Sequence, residues 1–134
     1  MTIEHFDDLL RMARAQAEPQ RLLFVFAGAE LAADASAEQR AAFDAGEGGE
    51  LAPLMCVHKA PEEVGDFDAL TAEAAEAGPP WALVFTAALS GKGGQAPSAR
   101  DTDAALQRMV NALKGGRLDG LLPFDRAGTP VMLA

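Results

Sequence analysis

Six consecutive apolar residues, Leu22-Leu23-Phe24-Val25-Phe26-Ala27, constrain this chain more than any other feature of its sequence. Strict alternation would mark a strand with one wet face, whereas an unbroken run with β-branched and aromatic members marks a strand covered on both faces. The fold must therefore supply a packing layer above this strand and another below it. Leu51 to His58, with Pro53 near its start where a missing amide is tolerated, and Trp81 to Leu89 have the same character. All are far shorter than a bilayer-spanning helix and read as strands.

Helical patterns fill the intervals. Thr2 is placed to cap a helix whose apolar positions Ile3, Phe6, Leu9, Leu10, Ala13 and Ala17 recur at three and four residues, and Pro19 ends it. Ser36 and Gln39 form a capping box for a second helix, closed by Gly46, with a weak apolar side. Pro61 to Gly65 reads as a turn or irregular helical start, and Asp66 caps a third helix that buries Phe67, Leu70 and Ala74 before Gly78-Pro79-Pro80. A fourth begins near Ser98 or Asp101, carries Leu106, Met109, Val110 and Leu113 on one face, and stops at Gly115-Gly116. Leu118 to Phe124 and Pro130 to Leu133 flank Asp125-Arg126-Ala127-Gly128, a hairpin connection. Helical crossovers of these lengths favour parallel neighbours. The expectation is one α/β domain over residues 1–134, a mainly parallel five-stranded sheet flanked by helices and ending in a β-hairpin whose last strand lies at an edge.

With 134 residues, 49% of them hydrophobic, the chain can bury a core without a disulfide or a structural metal. A net charge of −9 disfavours nucleic acid as a partner. Residues 1–78 carry net −11 and residues 79–134 net +2, an imbalance suited to a second copy or a basic partner, though solvated helix faces account for it too. The acidic, amphipathic start lacks the basic opening and apolar run of a secretory signal, so the expected location is cytoplasmic, with no membrane contact.

Two places could carry chemistry. Cys56 has His58 two residues on and pointing to the same face of a strand, where an imidazole could favour the thiolate; the blander reading is a small buried hydrophobe. The loop from Ser90 to Pro97 follows a strand and precedes a helix, where open α/β sheets bind ligands and free helix amides favour anions. Its candidates are Ser90, Gly91, Lys92, Gly93, Gly94 and Ser98, but it lacks the spacing and the Lys-Ser/Thr ending of a phosphate loop. A mobile surface connection is the alternative. His5 and His58 are too few for a triad or a metal site, and Trp81 is expected to pack.

The blocks Leu22-Leu23-Phe24-Val25-Phe26-Ala27-Gly28-Ala29-Glu30-Leu31, Pro53-Leu54-Met55-Cys56-Val57 and Pro123-Phe124-Asp125-Arg126 resemble a family of short proteobacterial proteins, uncharacterised or bearing the automatic label ribonucleotide reductase subunit alpha. The likeness covers most of the chain. That family has no established catalytic motif, so the resemblance brings no site residues with it. A catalytic subunit of that reductase needs a large barrel and several cysteines, and a lone thiol has no partner with which to close a disulfide after turnover.

The function expected from all this is a small interaction or accessory module without catalysis of its own. It would form a homodimer through Pro130 to Leu133 or bind another protein, with no cofactor and no metal. One alternative is a binder or enzyme for a small anionic ligand at the Gly-rich loop. Another is a thiol sensor through Cys56.

Overall fold

The computed structural model describes residues 3–30, 34–44 and 50–132. Its elements in chain order are α1 (Phe6–Arg14), β1 (Gln20–Glu30), α2 (Ala37–Asp44), β2 (Glu50–Lys59), α3 (Pro61–Val64), α4 (Phe67–Ala77), β3 (Leu83–Ser90), α5 (Ala99–Lys114) and β4 (Leu122–Phe124). The apolar run forms the middle of β1. Odd and even positions along it separate onto opposite faces. Leu22, Phe24 and Phe26 pack with Phe6 and Leu10 of α1, Val64 of α3, Phe67, Leu70 and Ala74 of α4, and with Trp81, Val84 and Phe124. Leu23, Val25 and Ala27 pack on the other face with Phe85 and with Ala105, Leu106, Met109 and Leu113 of α5. The class is α/β, with helices on both faces of one sheet. Among the described residues no helix is long and apolar enough to cross a membrane.

The expected mainly parallel five-stranded sheet is overturned. Four strands lie in the order β2-β1-β3-β4, and every neighbouring pair is antiparallel, as in Val25 opposite both Cys56 and Phe85. The reason lies in what each connection does. A helix restores the strand direction only when it runs back along the sheet. The α3–α4 connection does this, so β2 and β3 point the same way, but β1 lies between them. The segment carrying α2 makes no such return, since the described side chains of α2 are mostly exposed, and it joins two antiparallel neighbours. Helix α5 packs over β1 and β2 rather than over the pair it links, and the chain returns through Leu118 and Leu121 on the same face to start β4.

The fifth strand is also absent from the described residues. Pro130 makes an isolated bridge to Phe124, and the Val131 amide donates to the Pro123 carbonyl at 3.0 Å. The hairpin through Asp125 to Gly128 does form. Asp125 Oδ1 accepts from the amides of Ala127 (2.8 Å) and Thr129 (3.0 Å). Arg126 donates to the Trp81 carbonyl at 3.1 Å and lies 5.1 Å over the Trp81 ring, a cation–π contact. Trp81 stands before β3 rather than in it, buried and edge-on to Phe26 at 5.0 Å.

At the other end, α1 starts at Phe6. Its cap is His5, whose Nδ1 accepts from the Asp7 amide at 3.0 Å, while the Asp8 carboxylate accepts from the His5 amide at 3.1 Å. Thr2, the expected cap, lies outside the described residues, as do Gly46 and Leu133. With Nδ1 accepting, His5 Nε2 carries the proton and donates to the Ala127 carbonyl at 3.1 Å. The Phe6 amide donates to the Gly128 carbonyl at 2.8 Å, so the hairpin and the first helix hold each other.

Gly128 is the tightest point of that junction. Its φ is +83°, and a Cβ there would lie 2.5 Å from His5 Nε2. Gly128→Ala therefore combines backbone strain with displacement of the His5 cap and is expected to cost about 1–3 kcal/mol. Urea unfolding followed by circular dichroism measures this, and an unchanged midpoint would contradict the junction's role.

Candidate functional site

The two edges of the sheet are unlike. At the β4 edge the segment from Thr129 to Val131 folds back over the strand. At the opposite edge β2 runs for ten residues and, among the described residues, pairs only with β1. Its pairing shifts between Phe26 and Ala27, which face Met55 and Pro53, so Leu54 is an extra residue and is 38% exposed. Beyond this bulge, Met55 to Lys59 pair regularly with β1 and leave their outer backbone groups unpaired by any strand.

A groove of about 210 Å³ runs beside this stretch, lined by Phe26, Met55, Cys56 and Val57 on the sheet and by Leu70, Glu73, Ala74 and Ala77 on α4. The i, i+3, i+4, i+7 spacing of the α4 residues makes one stripe of that helix its wall. Glu73 is the one charged side chain among these residues, and it pairs with Lys59 at 3.1 Å.

On the other face of β2, Arg21 connects three elements. It donates from Nε to His58 Nδ1 at 2.9 Å and from Nη1 to Glu63 at 3.0 Å. Glu63 also accepts from the Ala60 amide at 2.7 Å. That backbone bond, aided by the charges of Arg21 and Lys59, holds the Glu63 carboxyl below its usual range. Because Nδ1 accepts from Arg21, the proton of neutral His58 sits on Nε2, which lies 3.8 Å from Asp103. Both imidazole nitrogens thus have partners other than the thiol.

Cys56 is exposed, which corrects the expectation of a buried hydrophobe. It lies opposite Val25, so its side chain leaves the sheet on the α5 face, from the outermost strand of the described sheet. The continuous apolar character of 54–57 gave no sign that the strand was peripheral.

The six loop candidates divide. Ser90, Gly91, Lys92 and Ser98 line one cavity of about 360 Å³ together with Gln95, Asp101 and Arg108. Gly93 and Gly94 form the tip of a tight hairpin, both with positive φ, closed by paired bonds between Lys92 and Gln95 at 3.0 Å. The loop's amides are largely committed. The Gly91 amide donates to the Pro19 carbonyl at 2.7 Å and the Gly94 amide to the Glu18 carboxylate at 3.2 Å. Ser98 caps α5, its Oγ accepting from the Asp101 amide at 3.1 Å. Arg108 was not among the candidates. Its signal was the recurrence Asp101, Ala104, Arg108 along one helix face.

Among the described residues, no group of three or more His, Cys, Asp or Glu side chains is arranged to hold a metal ion. No protein-family model matches the chain, and no curated protein or solved structure matches it.

An exposed thiol that packs against little can be replaced cheaply. Cys56→Ser is expected to shift stability by less than about 0.5 kcal/mol. The native protein should react with a thiol reagent at neutral pH as fast as its urea-unfolded form. Protection of the thiol until unfolding would show that Cys56 is covered.

Proposed function

We propose that this chain is a protein-interaction module without catalysis of its own, which takes an extended segment of a partner as a fifth strand along β2. The observation that carries this reading is the regular stretch Met55 to Lys59, paired on one side only and flanked by an apolar groove. Strand addition draws its affinity from main-chain hydrogen bonds along such an edge and its selectivity from pockets that receive alternate side chains. The β2 edge offers the first, and the groove against α4 the second. Self-association remains one form of this activity, with the edge moved from the chain's end to β2, because the backbone beyond Phe124 is already bonded.

The check is hydrogen exchange on the β2 amides. Three ten-residue peptides of alternating valine with lysine, threonine or glutamate are titrated into the protein, and the protein is also concentrated alone. At least one of these additions should slow exchange at residues 55–59. If none does, the reading fails.

A second reading has its own observation. The polar cavity at the loop brings Lys92 and Arg108 to one lining, and among the described residues neither has an ion-pair partner. A small anion held between them is the corresponding function, with Asp101 opposing it. Inorganic phosphate at millimolar concentration should then move the amide resonances of residues 90–108, and Arg108→Ala should abolish the response. Shifts absent at that concentration would remove this reading.

A further inference from the structure

We infer that the segment β2 accepts is cationic, with lysine or arginine beside apolar residues, and that it belongs to a different protein rather than to a second copy. This inference rests on the strand-accepting reading of β2 and adds to it the chemistry of the partner.

The argument starts from the groove's composition. Its walls are the apolar side chains of Phe26, Met55, Val57, Leu70, Ala74 and Ala77, and its rim carries the Glu73 carboxylate. Glu76, three residues on in α4, is exposed. A side chain with an aliphatic stem and a charged head matches this arrangement, because the stem covers the apolar wall while the head reaches the carboxylates. The opposite face of the same edge is acidic as well, since Asp103 is 74% exposed beside His58. Residues 60–78, which follow β2 and include α4 beside the groove, contain six acids and no lysine or arginine. Lys59 offsets Glu73 at 3.1 Å and Arg21 offsets Glu63 at 3.0 Å. Glu62, Asp66, Asp68 and Glu76 remain in excess, so the formal charge near this edge is negative.

The same charges argue against a second copy. Two β2 strands joined antiparallel by a twofold axis would continue one sheet and set the two α4 helices, with the acid-rich stretch 60–78 of each copy, on the same face. Like charges facing one another across an interface oppose association, and each copy carries a net charge of −9.

The test uses the full chain and the three peptides named above. The valine–lysine peptide should slow exchange at residues 55–59, the valine–glutamate peptide should not, and raising salt from low to physiological should weaken the lysine peptide's binding. Glu76→Lys should weaken it about threefold to fivefold, the size of an exposed charge pair, and Glu76 is exposed, so the variant should fold. Sedimentation of the parent at micromolar concentration should give the 14.0 kDa species. Equal binding of all three peptides, or a dimer in which the β2 amides are protected, would overturn the inference while leaving the strand-accepting reading in place. No response to any peptide and no dimer would overturn both.

Discussion

Burial of β1 on both faces is the constraint from which the rest of this structure follows. Leu22, Phe24 and Phe26 need one cover, and Leu23, Val25 and Ala27 need another. The first is assembled from parts far apart in the chain. Phe6 is its centre, with ring centroids 5.7 Å from Phe24, 5.0 Å from Phe67 and 5.3 Å from Phe124. Tilted and edge-on aromatic packing of this kind adds to the area it buries. A single residue thus ties α1, β1, α4 and the terminal hairpin together. The second cover is one long helix, α5, which lies over β1 and β2. The margin of the sheet at β2, covered by α5 on one face and bordered on the other by the groove against α4, is where Cys56 and Leu54 are exposed.

The sequence was informative about elements and misleading about direction. The β1 run, the Asp66 and Ser98 caps, the apolar faces of α4 and α5 and the Asp125–Gly128 turn were all legible, because each is fixed by neighbours within a few residues. Strand direction is not a local property. Helices at every interval suggested parallel crossovers, but only α3–α4 returns along the sheet, and the described side chains of α2 are mostly exposed. One argument for the loop candidates rested on the parallel sheet. Ligand binding at strand ends is a regularity of open parallel sheets, and an antiparallel sheet gives it no support. Ser90, Gly91, Lys92 and Ser98 nevertheless meet around one cavity, because β3 ends where α5 begins. Cys56 was misplaced for a related reason, since an apolar run reads alike in a central strand and in an outer strand that borders a groove.

Three blocks of the sequence have distinct structural tasks. Phe124 is in the core, Asp125 closes the turn, and Arg126 spans to Trp81. The Leu22–Ala27 block is the double-faced strand itself. Met55 and Val57 pack against the core and line the groove on the same face of the sheet, the one that carries Phe26 and α4. The first two blocks serve the fold. The third contributes to the fold and to a surface at once, so a change there alters the packing of Phe26 and the shape of the groove together.

Ion pairing gives the surface its functional asymmetry. Arg11 pairs with Asp8, Arg21 with Glu63 and Lys59 with Glu73, so cations on the acid-rich half of the chain are largely spent on local partners. Their carboxylates still outnumber them, and the excess gathers in residues 60–78 along the open edge. Lys92 and Arg108 have no such partners among the described residues and border a polar cavity at the other end of the chain's charge gradient. Exposed pairs of this kind add little to stability, so the distribution is not explained by what it does for the fold. What it changes is where charge is left over: residues 60–78 carry six acids against the two cations Arg21 and Lys59 paired with them, while the cavity before α5 is bordered by Lys92 and Arg108 together with Asp101. The strand-accepting reading and the anion reading therefore call on side chains of opposite sign, at two places whose linings share no residue.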